Sequence, residues 1–338
     1  MFRRLTISFA LLFLVFSGCV ISPRRGTTNT GNSGTGQIYV ANESGNAILR
    51  FKGATAVTGN VTPTTTISGA STQLSSPRYI FLDSGNDRLY VANTNAGNIL
   101  VFNSVSTLIG SVSPSPARVI SSPSLSAPAD VAVDISRDLL YVADNAEVAV
   151  FTNASTANQS TTAARVIQLG FTPSAMLLDP GNDRLFLANA GSNEIDIFDT
   201  ASTLTGSVSP PRALTGSGTQ LSQPAGLAKD GSGRLVVSNA SPPSITIYAN
   251  AATINGSVSP VGAIDGSNTQ LTGPGQLALD PTTNSGELYV ADPSGGNVSV
   301  FSNLAAVNST INLTPSRNLS GPNTNLNTTK GVALDTTR

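Results

Sequence analysis

Short apolar runs, separated by polar turn-forming residues, dominate the chain from residue 37 to residue 338. One run recurs six times as an apolar segment that ends in Asn or Asp, at 38–42, 89–93, 140–144, 185–189, 235–239 and 288–292. An aromatic residue follows each copy, nine positions after the Asn or Asp in five copies and seven in the third. This self-similarity predicts a tandem repeat of about 50 residues.

A second apolar run precedes the first in each repeat and also ends in Asp. Its copies are Pro77–Asp83, Pro128–Asp134, Pro173–Asp179, Pro224–Asp230 and Pro274–Asp280, with a sixth, Thr329–Asp335, at the far end of the chain. Each repeat holds four such runs, which are rich in β-branched residues and bounded by Gly, Asn, Asp, Pro and Ser, as strands are. No apolar period of 3.6 residues is sustained, so helix should be nearly absent.

Four short strands per repeat of this length are typical of a β-propeller blade. The repeat region opens on a second strand and closes on a first strand without a successor. A closed ring lets these two strands pair, whereas an open array would leave both as exposed edges. The sequence therefore predicts an all-β, six-bladed propeller over residues 37–338, with four antiparallel strands per blade and one blade shared by the N- and C-terminal strands.

The repeat resembles that of the NHL family of six-bladed propellers. The last copy carries the resemblance, with Pro274–Asp280, Leu288–Asp292 and Val298–Phe301 in the order that the family shows. The resemblance implies the fold. It says little about function, because propellers serve as enzymes, binders and scaffolds alike.

The N-terminus resembles a bacterial lipoprotein signal peptide. Arg3 and Arg4 precede an apolar run, Leu5–Phe16, which is too short to cross a bilayer comfortably, and Ser17 and Gly18 lead to Cys19. The resemblance implies removal of residues 1–18 and acylation of Cys19. An ordinary secretory signal and a twin-arginine signal are the alternatives.

Residues 19–36 are predicted to be the lipidated cysteine and a flexible tether, because they hold too few apolar side chains to fold. Val20 follows the cysteine, and by resemblance to enterobacterial sorting rules this implies the outer membrane, facing either the periplasm or the outside. We expect contact with the membrane through the lipid alone, and a monomer.

Composition excludes several classes of function. The 338 residues include no His and one Cys, so catalytic triads with His, His-ligated metals and internal disulfides are impossible. Only 11% of residues are charged, with a net charge of −1, which does not favour nucleic-acid binding. The sequence indicates no cofactor and no metal site.

Most aromatic and acidic residues have positions that the repeat itself explains. Eleven aromatics fall in two repeat columns and should fill the spaces between blades: Tyr39, Tyr90, Tyr141, Phe186, Tyr289, Phe51, Phe102, Phe151, Phe198, Tyr248 and Phe301. The Asp that ends each first strand is expected to cap the following turn rather than bind calcium.

The copies differ most just after the proline that opens the first strand. In a propeller this strand lines the central channel, so the differing residues should form one polar cluster at a channel mouth: Arg78, Tyr79, Asp130, Gln276 and Lys330. One hypothesis is that a small ligand binds there; the other is a solvated rim without a ligand. Lys229 stands where other copies carry Leu or Val, and the sequence offers no explanation for it.

Two functions remain open. The first is a non-enzymatic, envelope-anchored scaffold that binds a protein or polymer partner, which is favoured by the absence of His and the small number of unassigned carboxylates. The second is a metal-dependent, lactonase-like hydrolase with Asp and Asn ligands at the channel mouth, for which only Asp130 is clearly in place.

Overall fold

The computed structural model describes residues 34–280, 282 and 286–338. These residues form six sheets whose innermost strands contact one another in a ring, and this confirms the six-bladed propeller. The predicted signal peptide and Cys19 lie outside the described residues. Blades are numbered 1 to 6 here in the chain order of their second strands.

The four main strands of each blade are antiparallel neighbours, numbered from the channel outward. The innermost strands, for blades 2 to 6 and then blade 1, are Pro77–Asp83, Pro128–Asp134, Ala175–Asp179, Pro224–Lys229, Leu277–Asp280 and Thr329–Asp335. The second strands are Gln37–Asn42, Arg88–Asn93, Leu139–Asp144, Arg184–Asn189, Leu235–Ala240 and Glu287–Asp292. The third strands are Ala47–Lys52, Asn98–Asn103, Glu147–Thr152, Glu194–Asp199, Pro243–Tyr248 and Asn297–Ser302. The fourth strands are Thr65–Ile67, Arg118–Ser121, Arg165–Gln168, Arg212–Leu214, Gly262–Asp265 and Arg317–Leu319.

Blade 1 is built from both ends of the repeat region, as predicted. Its innermost strand, Thr329–Asp335, pairs antiparallel with Gln37–Asn42, and Val332 lies opposite Val40. Both valines are buried in the same apolar cluster. The pairing removes two strand edges that would otherwise be open to other chains.

Each blade also borrows a short fifth element from the next blade, which the sequence analysis did not predict. The borrowed segment runs parallel to the fourth strand, as Gly110–Val112, Gln159–Ser160, Gly206–Ser207 and Thr310–Ile311. In blades 4 and 6 a single parallel bridge takes its place, Leu214 with Gly256 and Leu319 with Gly59. The bridge between Gly59 of blade 1 and Leu319 of blade 6 is a second connection that closes the ring, in addition to the shared blade. In three copies the sequence marks this element by a repeated Gly-Ser-Val-Ser-Pro, at 110–114, 206–210 and 256–260.

An arginine joins each blade to the next. The side chain donates to backbone carbonyls of the segment that follows the next blade's third strand. Four of these arginines lie on fourth strands, and the other two lie on the third strand of blade 1 and just before the second strand of blade 5: Arg118, Arg165, Arg212, Arg317, Arg50 and Arg234. All six blades therefore make the same connection, but the arginine that makes it stands at different positions of the repeat.

The core lies between blades. All eleven aromatics of the two repeat columns are among the largest fully buried side chains, which confirms their predicted role. The helices of the described residues are single turns of the 3-10 type: Ala70–Thr72, Thr94–Ala96, Pro180–Asn182, Ser217–Thr219, Ser267–Thr269, Leu304–Ala306 and Pro322–Thr324. In the part of the chain that the structure covers, no helix combines the length and the hydropathy that a membrane span requires.

Candidate functional site

The two faces of the ring differ. The innermost strands end on one face, here called the aspartate face, at Asp83, Asp134, Asp179, Asp230, Asp280 and Asp335. They begin on the other, here called the proline face, where the hairpins between second and third strands also lie. The five residues predicted to form a ligand site all lie near the proline face.

Tyr79 closes the channel at the proline face. Its side chain is buried, and its hydroxyl donates to the carbonyl of Ala225, which belongs to the opposing blade 5. The ring packs in an apolar cluster with residues of blades 4 and 5. Burial raises the pKa of the Tyr79 hydroxyl well above its usual value. The tyrosine therefore acts as a neutral plug.

Gln276 adds a second connection across the channel. Its Oε1 accepts from the backbone amides of Ile80, at 3.3 Å, and Val332, at 3.0 Å, while its Nε2 donates to the Ile80 carbonyl at 3.0 Å. One side chain of blade 6 thus binds blades 1 and 2. These bonds use most of the amide's capacity inside the protein.

Asp130 is buried beside the plug. Its Oδ2 accepts from the Met176 amide and its Oδ1 from the Val131 amide, both at 2.7 Å. Burial raises the pKa of Asp130 to about 7, although these two hydrogen bonds and the charge of Arg78 act in the lowering direction. Burial therefore favours the neutral form of this carboxyl over the charged one.

Arg78 and Lys330 lie at the outer side of the plug. The Arg78 guanidinium sits 5.7 Å from the centre of the Tyr79 ring, and its Nε is buried without a hydrogen-bond partner. Lys330 pairs with Glu43 at 3.8 Å. The structure therefore brings the five predicted residues together, with Tyr79 and Asp130 buried and Arg78, Gln276 and Lys330 half-buried.

Behind the plug lies a central cavity of about 570 Å³. It runs from Asp130 and Gln276 to Asp134 and Ile135 at the aspartate face, and its walls are mainly Leu, Val, Ile and Ala side chains of all six innermost strands. Ile135, at the open end, is 55% exposed. The five residues predicted from the sequence lie at the polar end of the channel, whereas the cavity opens at the opposite end.

Lys229 now has an explanation. Its Nζ makes an ion pair with Asp179 Oδ2, which joins blades 5 and 4 at the aspartate face. Burial alone would raise the pKa of Asp179, but the hydrogen bonds from Lys229 and Asn182 outweigh burial and lower it. The other five terminal aspartates each accept a backbone amide of the turn that follows, as expected from the sequence.

A larger, polar groove of about 830 Å³ opens at the rim of blade 3 on the proline face. Its lining comprises Pro123, Ser124, Ser126, Asn145, Ala146, Glu147, Gln168, Leu169, Gly170, Ser207 and Val208. Asn145 Nδ2 donates to Ser126 Oγ at 2.6 Å, and Ser207 Oγ donates to Gln168 Oε1 at 3.0 Å. Burial, with the nearby charge of Asp144, raises the pKa of Glu147.

Shortened connections create this groove. The hairpin 145–146 of blade 3 has two residues, whereas the corresponding hairpin 43–46 of blade 1 has four. The segment 122–127 before blade 3 has six residues, whereas 68–76 before blade 2 has nine and contains a 3-10 turn. The sequence signal for the short hairpin was the aromatic offset of seven in the third copy.

Possible metal ligands do not converge in the part of the chain that the structure describes. No group of three or more His, Cys, Asp or Glu side chains there could hold one ion.

Comparisons with known proteins reveal the fold. No protein-family model matches the chain, and no curated protein matches it in sequence. A chain of the nidogen/laminin complex superposes with a TM-score of 0.61 at 14% identity, over 89% of this chain and 98% of that one. A functionally unknown protein from Desulfotomaculum acetoxidans gives 0.56 at 14% identity, over 87% and 84%. A putative 6-phosphogluconolactonase from Bacteroides fragilis gives 0.57 at 14% identity, over 89% and 98%. At such identities the chain is similar to these proteins in fold alone: it is a six-bladed β-propeller.

Proposed function

We propose that the protein is a non-enzymatic binding scaffold, anchored to the cell envelope through an acylated Cys19, that holds an extended segment of a protein partner in the groove of blade 3. The observation that carries the proposal is the groove itself. It lies beside the hairpin 145–146, where the spacing between the second-strand Asp and the following aromatic differs from that of the other five copies.

The groove has the chemistry of a peptide-binding surface. Ser124, Ser126, Asn145 and Gln168 supply hydroxyl and amide groups, while Pro123 and Leu169 supply apolar contacts. Gly206–Ser207 is the outermost strand of the blade 3 sheet, so its backbone is placed to pair with an incoming strand. Aromatic platforms for stacking sugars are missing from the lining, which favours a protein over a polysaccharide.

The hydrolase alternative has weaker support. It would need acidic side chains to converge on one metal ion at the channel mouth. Asp130 instead accepts two backbone amides, and Glu43 pairs with Lys330. The putative lactonase among the similar structures supports the fold and carries no ligand over to this chain.

A photo-crosslinking amino acid at Ser124, in the full chain expressed in intact cells, tests the proposal. We expect a discrete, protease-sensitive adduct that is missing when the same amino acid replaces Ser217, an exposed residue of the 3-10 turn before blade 5. Equal labelling from both positions would contradict the groove. An adduct that lysozyme digests would identify the partner as cell-wall polymer and would contradict a protein partner.

Lengthening the short hairpin of blade 3 gives a second, independent variant. Two residues inserted between Asn145 and Ala146 restore the length found in blade 1 and should fill the groove. The adduct from Ser124 should then disappear while the melting temperature is kept. An adduct that survives the insertion would show that the groove is not the binding surface.

The anchor is tested separately. The Cys19→Ser variant should lose incorporation of radiolabelled palmitate and move from the membrane fraction to the soluble fraction. Labelling that persists in Cys19→Ser would overturn the lipid anchor without affecting the groove.

A further inference from the structure

We propose that the central cavity is a binding site for one elongated apolar molecule of the acyl-chain type, which enters from the aspartate face. This site is separate from the groove of blade 3 and does not depend on it. The shape of the cavity, its lining and the residues at its mouth all favour such a ligand.

The shape is that of a pocket with one sealed end. Tyr79 and Gln276 close the proline face through hydrogen bonds to Ala225 and Ile80, on other blades. The remaining volume of about 570 Å³ lies within the range of small-molecule sites. The innermost strand of blade 3 lines the cavity from Asp130 to Asp134, which spans about 13 Å at about 3.3 Å per residue, so the cavity suits an apolar chain of about that length.

The lining is apolar where a water-filled channel would be expected to be polar. The position just before the terminal aspartate is Leu or Val in five of the six blades: Leu82, Val133, Leu178, Leu279 and Leu334. Several of these side chains are only partly buried. Apolar surface facing water costs about 25 cal/mol per Å², and a hydrocarbon chain in the cavity would remove that cost.

The deep end offers little to a charged ligand. Gln276 already bonds to three backbone groups, and both Asp130 oxygens accept amides. Asp130 supplies no positive charge to a carboxyl placed beside it, and the Arg78 guanidinium lies against the Tyr79 ring, outside the lining of the cavity. The leading end of the ligand should therefore be uncharged.

The mouth, by contrast, can accommodate a polar head. Lys229 and Asp179 form an ion pair there, and Arg137 pairs with Asp134 on the neighbouring blade. Ile135 follows Asp134 and is exposed, as an apolar residue at the entrance of an apolar cavity. A head group that remains at this rim stays in water while its chain is buried.

The test uses the full chain carrying Cys19→Ser and the fluorescent probe N-phenyl-1-naphthylamine. We expect saturable binding of the probe, its displacement by palmitate, and no displacement by glucose. Leu177→Trp and Ala278→Phe each add bulk to the cavity from a different blade and should weaken probe binding by about tenfold or more. Ile109→Trp, at an exposed rim position, is the matched control and should bind as the parent does.

Single tryptophans then locate the ligand, because the chain has none of its own. A dibrominated stearate should quench the fluorescence of Ile135→Trp at the mouth and leave that of Ile109→Trp unchanged. Equal quenching at both positions, or probe binding that two folded cavity-filling variants leave intact, would overturn the proposal. Binding to the leader segment is common to all variants and cancels in the comparison.

Discussion

The hydroxyl of Tyr79 on blade 2 donates a hydrogen bond across the central channel to the carbonyl of Ala225 on the opposing blade 5. The two residues are 146 positions apart in the chain. Most contacts in a ring of blades join neighbours, so this bond, together with that of Gln276 to Ile80, restrains the ring across the channel.

Tyr79→Phe should destabilise the protein by about 1 to 2 kcal/mol. The substitution keeps the ring in its apolar cluster but leaves the partly buried Ala225 carbonyl without its donor, and an acceptor left unpaired inside a protein costs this much. Equilibrium unfolding in urea measures the change. An unaltered free energy of unfolding would mean that the bond does not brace the ring.

The pH dependence of stability should contain a contribution from Asp130. Its pKa is about 7 in the folded chain, against an ordinary value of 3.8, because it is buried. Between these values the unfolded chain releases the proton and the folded chain keeps it, so the stabilisation from this group falls as pH rises. Urea unfolding across this range should show the advantage of the parent over Asp130→Asn shrinking as pH increases.

Glu287 should contribute to the pH dependence of stability with the opposite sign. Burial would raise its pKa, but the hydrogen bonds from Arg317 and Ser302 outweigh burial and lower it below the ordinary 4.5. Its stabilisation is therefore present above pH 4.5 and lost as pH falls through the lower folded value. The same pH trend in Glu287→Gln and Asp130→Asn would contradict the opposite signs assigned to the two groups.

Gly226→Ala should destabilise the protein by about 2 kcal/mol or more. A Cβ at this position, on the innermost strand of blade 5, would overlap the carbonyl oxygen of Gly275 on blade 6. Gly231→Ala is the matched control, because a Cβ there meets no atom within 4 Å. Thermal unfolding of the two variants should separate them clearly, and equal melting temperatures would contradict the close packing of these strands.

Deletion of residues 329–338 should abolish cooperative unfolding. It removes the strand that pairs with Gln37–Asn42 and takes Val332 out of a buried cluster. Deletion of residues 336–338 alone keeps that strand and is the milder control. Calorimetry compares the two, and a normal transition in the longer deletion would refute the shared blade.

The fold could be predicted from the sequence because six imperfect copies repeat the same pattern of apolar runs and turn-forming residues. The eleven buried aromatics and the capping aspartates followed from position within the repeat alone. The plug could not be predicted, since Tyr79 and Gln276 bind residues of distant blades that no periodicity connects to them. The groove was partly predictable, because the lengths of 122–127 and 145–146 can be counted in the sequence. A short connection does not by itself predict a groove, however, because the space it leaves depends on how the neighbouring segments pack.

Gly36 lies on the same face of the ring as the cavity mouth. Its amide donates to the Arg338 carbonyl, beside the end of the innermost strand of blade 1. With the anchor proposed at Cys19, the 17 residues from 20 to 36 would join the lipid to this point, which is at most about 60 Å of extended chain. A membrane held within that distance would be a nearby source of hydrocarbon for the cavity.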